Sequence, residues 1–289
     1  MVLKMKILSV ESSAASCSVA LSDNGVLIGE EFTNVKLTHS ETLMPMVKNI
    51  LDNTKTDIGT VNVFAVSNGP GSFTGVRIGV AAIKGMADGV GKPCCGISTL
   101  ETIAYPFFDR NCVVCSLMDA RCSQVYTALF ENGKRLTPDS AMLISELADS
   151  LKSIDKPILF AGDGATVTYE KLSDSFDNII LADAQNRYQR ASSVAFLTEK
   201  YINSGKLPVS ANELLPVYLR LPQAERELKK KKDLSKKTIT RHYKKEEEPV
   251  RRPVAQQPEA MVIYNNKKYV INKSPFTIGR ENANIVIPE

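Results

Sequence analysis

Histidine is nearly missing from this chain, with two in 289 residues. His39 has Leu43 one helical turn on, and His242 lies in a distant run of charge. Protein zinc sites draw on converging imidazoles and thiolates, and the six cysteines (17, 94, 95, 112, 115 and 122) do not make up the deficit. Cys112 and Cys115 form the one CxxC, inside the strand-like CVVCSLM, where alternation sends residues i and i+3 to opposite faces. They read as core residues, and neither a metal nor a redox role is expected. The cysteine spacings also lack the compact even framework of a secreted miniprotein. Long apolar runs are missing too. The early stretch Ile7 to Val10 is far too short for a signal peptide, so a cytoplasmic protein without a membrane partner is expected.

Charge of one sign is scarce except in one place. The formal net charge is +4, while residues 226–252 hold 12 Lys/Arg and 5 Asp/Glu, or +7, which leaves −3 for the rest. General attraction to nucleic acid therefore belongs to that segment and not to the folded body.

What the chain does have is NGPGSFTGVRIG at residues 68–79, between a strand-like Val61 to Ser67 and a helix-like Thr74 to Val90. A glycine-rich turn from strand to helix is a common anion site, because helix-start N–H groups point outward and glycine admits close approach. A tight turn that only lets helix and sheet pack is the plain alternative. The general phosphate motifs fail on spacing. Gly75 is followed by Val76 and Arg77, which excludes a Walker A lysine, and a dinucleotide fingerprint would need its third glycine at Thr74. Pro70 stands where a nucleophile elbow before Ser72 would need glycine.

LSVESSAASCSVALSDNG (8–25) and SLMDARCSQVYTALFENG (116–133) align without gaps, placing Glu11 on Asp119 and Asp23-Asn24-Gly25 on Glu131-Asn132-Gly133. Each reads as strand, polar turn, strand and an Asn-Gly hairpin turn. Thr38 with Glu41 suggests a capping box before a helix reaching about Asn53, which Pro45 is expected to bend. In the second half, a helix near Ser145 to Ser153, a strand Pro157 to Ala161, a helix after Gly162-Asp163-Gly164, a helix Ala191 to Ser204 and a strand-like Leu214 to Leu219 follow. Alternating strands and helices imply helix-covered sheets. Two duplicated α/β lobes, each opened by a hairpin whose turn follows an acid, are similar to the actin-like ATPase superfamily. That likeness implies a cleft where Glu11, Ser12, Ser13, Asp119, Gly162, Asp163 and Gly164 would face nucleotide and metal; ordinary turn chemistry is the alternative. The expected domains are lobe I at 1–103, completed by about 189–220; lobe II at 104–188; a charged disordered linker at 221–259; and a β-rich tail at 260–289.

Five stretches carry a narrower likeness: ILSVESSAASCSVAL, HSETLMPMV at 39–47, the glycine loop, Asp119-Ala120-Arg121 with Tyr126, and PVYLRLPQAER at 216–226. Over about residues 5–226 the chain resembles the TsaB family (YeaZ, glycoprotease-like) of bacterial tRNA threonylcarbamoyladenosine subunits, with Glu11 where relatives often carry Asp. The resemblance implies a noncatalytic scaffold that binds and activates a catalytic sister, TsaD, with the ATPase TsaE joining, a homodimer when alone, and tRNA engaged indirectly. It implies no intrinsic cofactor, with ATP and magnesium at the level of the complex. TsaD holds metal through an HxxxH pair, for which Leu43 stands in the second position here. The partner or dimer face is expected from His39, Leu43, Met46, Val47 and Ile50 on one helix and Gly75, Gly79, Ala82 and Ile83 on the next, where small residues permit close helix approach; burial of both faces within the lobe is the alternative. An actin-like ATPase or phosphotransferase using Glu11 and Asp119 is a competing function, and a metallopeptidase a third.

The tail MVIYNNKKYVINKSPFTIGRENANIVIPE has strand-like runs at 261–264, 268–271 and 284–287 and resembles the start of a forkhead-associated domain, whose Gly-Arg matches Gly279-Arg280. A truncated fusion that does not bind phosphopeptide is expected, because three strands give little core. The basic segment is read as a solvated linker rather than a tRNA-binding arm, since Tyr243 is its lone aromatic.

Overall fold

The computed structural model describes residues 5–35 and 37–220, with four short strands beyond them. The chain forms two compact units, Met1–Glu227 and Leu228–Glu289. In the first, apolar alternation and an Asn-Gly turn build a meander of β1 (Lys6–Glu11), β2 (Cys17–Asp23) and β3 (Val26–Thr33). Then come α1 (His39–Asn53), β4 (Val63–Gly69), α2 (Phe73–Gly89) and β5 (Cys94–Ser98). The sheet order is β3-β2-β1-β4-β5, antiparallel through the meander and parallel after it. A short α3 (Thr99–Ala104) leads into β6 (Val113–Asp119), β7 (Gln124–Glu131), β8 (Lys134–Arg135) and β9 (Ser140–Leu143). The second sheet is completed by α4 (Ile144–Leu151), β10 (Ile158–Ala161), α5 (Ala165–Leu172) and β11 (Ile179–Leu181), in the order β11-β10-β6-β7-β8 with β9 also on β7. Finally α6 (Ala191–Asn203) returns to the first sheet. The result is a mixed α/β fold with two sheets of like strand order, as expected from the repeat.

The repeat is visible in the backbone but is not gapless. Asn24-Gly25 (φ 53° and 78°) and Asn132-Gly133 (φ 50° and 71°) make equivalent left-handed turns. Glu11 pairs with Ser18 in one ladder, whereas Asp119 pairs with Val125 in the other, one residue short of Ser18's sequence equivalent, Tyr126. Met118 pairs with Tyr126, so the inter-strand turn has gained a residue in the second lobe and in the ladders Glu11 matches Met118 rather than Asp119. Side-chain faces agree. Leu8 and Val10 pack with α1 and α2, and it is the odd-numbered Val113, Cys115 and Leu117 that pack with α4 and α5.

Other expectations shift modestly. Thr38 makes no side-chain cap to α1, and helical assignment continues through Pro45. Leu214 to Leu219 is not a strand: at the β5 edge the sheet partner is Val209, and this segment bonds instead to the glycine loop and α2. Cys112 and Cys115 lie in separate buried clusters on opposite faces of the second sheet, and burial pushes the Cys115 thiol up to about 12. In the second unit β12 (Ala260–Tyr264) and β13 (Lys267–Ile271) form an antiparallel hairpin, and β14 (Ile278–Gly279), which was not anticipated, runs parallel to β15 (Ile285–Val286). Residues 221–259 and Arg280 lie outside the described residues. No helix among the described residues is long and apolar enough to cross a membrane.

Candidate functional site

The ends of β1, β6 and β10, the start of α2 and the segment 217–220 enclose a cavity of about 700 Å³. Of the expected cleft residues, Ser13, Asp119 and Asp163 line it; Phe73, Arg121, Tyr126, Tyr218 and Arg220 join them.

At the first turn Glu11 is fully buried, and its Oε1 accepts the Ser13 N–H at 2.6 Å and the Ser13 hydroxyl at 2.5 Å. Burial raises its pKa, against the lowering effect of hydrogen bonds from Ser13 and Ser67. Asp119, at the end of the other strand, is exposed, and its Oδ1 accepts the Arg121 N–H at 2.7 Å. Each acid thus engages donors of its own turn, the groups that bind anions in open turns of this kind. The second turn is held by three consecutive residues at positive φ, Arg121, Cys122 and Ser123.

Asp163 sits at the third turn. Burial pushes its carboxyl up to about 7, with the Asp119 and Glu11 charges adding to the rise, and its Oδ1 has no partner among the described residues. Gly162 and Gly164 serve packing instead of a ligand. Gly162 adopts φ +107°, and a Cβ there or on Gly164 would meet the backbone of β6 at under 3.0 Å.

The same test corrects the expected partner face. Ser12 is buried, with its hydroxyl donating to the Gly75 carbonyl at 2.9 Å. A Cβ on Gly71, Gly75 or Gly79 would press within 3.0 Å on Ser13, on the Ser12 carbonyl and on the Ser12 hydroxyl, respectively. The small side of α2 therefore receives the β1–β2 turn of its own lobe and is not free to receive another chain. Leu43, Met46, Val47, Ile50 and Ile83 are likewise buried in the core with the first sheet. His39 is half-buried, its Nε2 2.6 Å from the Ala14 carbonyl. Of the nine residues expected on the face, His39 and Ala82 keep partial exposure. What α1 and α2 turn outward is Met44, Pro45 and Lys48 on one helix and Arg77, Ala81 and Gly85 on the other. Gly85 has open space where a side chain would stand.

On this face, Arg77 joins two segments far apart in the chain. Its guanidinium lies 3.9 Å from the Phe73 ring centroid, and its Nε donates to the Tyr218 hydroxyl at 2.7 Å. Phe73 and Arg77 share a helix face at a spacing of four. Nothing in the local pattern announces Tyr218, which is 141 residues away.

A family model described as TsaD, tRNA N6-adenosine threonylcarbamoyltransferase, matches residues 33–228. The Bacillus subtilis tRNA threonylcarbamoyladenosine biosynthesis protein TsaB is 31% identical over 226 residues, covering 76% of this chain and 96% of that protein. The Escherichia coli protein of the same name is 38% identical over 134 residues, covering 45% of this chain and 58% of the relative. The solved structure described as YeaZ from Pseudomonas aeruginosa superposes with a TM-score of 0.64 at 25% identity, over 74% of this chain and all of that one. The family model covers more than half of the chain and the B. subtilis relative is matched over nearly its whole length, so the chain belongs to the TsaB family of tRNA threonylcarbamoyladenosine biosynthesis proteins.

Proposed function

We propose that this chain is a noncatalytic subunit of tRNA threonylcarbamoyladenosine formation, which docks on the catalytic sister TsaD through the outward face of α1 and α2, with TsaE joining the assembly and tRNA engaged through the partners. The observation that carries this reading is the outer surface itself. Met44 is 47% exposed, and α2 presents the exposed Ala81 and Gly85 one turn apart, without large side chains to hold a second helix away. The same face serves a homodimer when the sister is absent. Two features support a scaffold over an enzyme. The residue one turn after His39 is Leu43, turned into the core, and Glu11 and Asp119 are engaged by their own turns. ATP and magnesium enter at the level of the complex in this reading.

Co-purification with TsaD tests it. Gly85→Arg or Ala81→Arg, at exposed positions, should abolish the complex while leaving the unfolding midpoint within the small change usual for surface substitutions, about 0.5 kcal/mol. A complex that survives both removes this face. Transferase activity of the chain without TsaD would remove the noncatalytic role.

The roomy cleft leaves an actin-like nucleotide site as a second reading, favoured by Asp163, which lines it and whose Oδ1 has no partner among the described residues. Nucleotide affinity of the isolated chain, lost in Asp163→Ala, would support that reading.

A further inference from the structure

The segment Leu214–Arg220 crosses the mouth of the interlobe cavity, and its last four residues form part of the wall. Among the described residues, its hydrogen-bond partners belong to the glycine loop, to α2 and, at one point, to the second lobe. The Val217 N–H donates to the Asn68 carbonyl at 2.7 Å, and the Asn68 side-chain amide donates back to the Leu215 carbonyl at 3.1 Å. Lys84 on α2 donates to the Leu214 carbonyl at 3.2 Å. Gly69, at φ +124°, lets the strand end and the segment touch, since a Cβ there would meet the Val217 carbonyl at under 3.0 Å. Tyr218 stacks on Phe73 with centroids 4.9 Å apart and accepts the Arg77 bond. Across the cleft, Arg220 Nη1 donates to the Ala120 carbonyl at 3.0 Å.

These contacts are a set of side-chain bonds around one backbone bond, without a sheet ladder and with little buried apolar area. Leu215, Val217 and Tyr218 are all exposed. Segments with this kind of anchorage open at a small fraction of the global unfolding free energy. The contrast lies upstream, where Leu214 itself is buried in the first core and gives the segment a fixed hinge.

We propose that Leu215–Arg220 is a lid over the interlobe cleft, hinged at Leu214, seated on the glycine loop through Gly69, and latched to α2 by Arg77. The glycine loop then has a second task beyond starting α2: it is the surface on which the lid closes. Arg220 closes the far side by reaching the second lobe's hairpin turn.

Cysteine accessibility tests the lid without needing a ligand. Among the native cysteines Cys122 is exposed and the other five are buried, so Cys122→Ser gives a quiet background. Ala120→Cys then places a thiol on the cavity wall beside the Arg220 contact, at a half-buried position. Its reaction with a maleimide should be slow in the parent. It should accelerate about tenfold in Arg77→Ala, the effect of losing one charge-assisted hydrogen bond with a cation–π contact. Hydrogen exchange of the Val217 amide should accelerate by a similar factor in the same variant. Arg220→Ala should raise the labelling rate but leave Val217 exchange less changed, because that bond lies nearer the hinge. Unchanged labelling and exchange in Arg77→Ala would overturn the proposal. So would a lowered unfolding midpoint with unchanged labelling, which would make Arg77 a packing residue only.

Discussion

The β1–β2 turn and the β6–β7 turn descend from one sequence pattern, yet their acids end in opposite surroundings. Glu11 lies under the glycine loop, wholly out of solvent, bonded to Ser13. Asp119 stands at the cavity wall, exposed, bonded to Arg121. Two things separate them. The second turn, longer by one residue, shifts the ladder by one residue, and a one-residue slip turns a strand's side chains to the other face. The first turn is also overlaid by a helix whose Gly75 and Gly79 press directly on Ser12, while the second is left open on that side. Duplication therefore preserved the hairpin and not the environment of its acid.

Substitution of the seal itself should have the largest effect. Gly75→Ala puts a methyl group against the Ser12 carbonyl, a backbone atom that cannot swing aside. We expect a loss of about 2–3 kcal/mol in denaturant unfolding, in the range of core overpacking. A loss below about 0.5 kcal/mol, the range of ordinary surface changes, would mean that the turn is not held by α2.

The acids come next. Glu11→Ala strands the buried Ser13 N–H and should cost about 1–3 kcal/mol, the usual penalty for an unmet buried donor. Asp119→Ala, at an exposed position, should stay within about 0.5 kcal/mol. Equal effects at the two sites would erase the asymmetry argued from register.

The smallest effect is on pH dependence, and it probes the third turn between them. Burial raises the Asp163 carboxyl from 3.8 to about 7 in the folded chain. Between those values the native state holds a proton that the unfolded state releases, so this group's contribution is fully present below pH 3.8 and is lost as pH rises through about 7. Asp163→Asn should therefore show a smaller drop in melting temperature between pH 5.5 and 7.5 than the parent. An identical drop would show that Asp163 is not protonated in the fold.

Local pattern was a good guide wherever the determining residues are neighbours in the chain. The paired Asn-Gly turns, the strand leading into the glycine loop, Ser72 accepting the Gly75 N–H to start α2, and the opposed faces of Cys112 and Cys115 all follow from spacing. The candidate site was legible in part. Ser13, Asp119 and Asp163 do meet at one cavity, but Ser12 and the two glycines of residues 162–164 are taken by packing. The expected partner face failed for a related reason. Apolar and small residues on a helix announce that something will pack there, not whether it comes from the same lobe or from another chain.

The composition, the repeat and the glycine spacing together determined the fold class and the scarcity of metal-ligating residues, because each rests on short-range geometry or on counts. Tertiary structure decided the rest. It chose which face of α2 meets Ser12, slipped the second ladder by a residue, brought Tyr218 to Arg77, and set the Asp163 carboxyl in a buried site. Those outcomes depend on close approach between segments far apart in the chain, and on the loss of water when they meet, which no local pattern encodes.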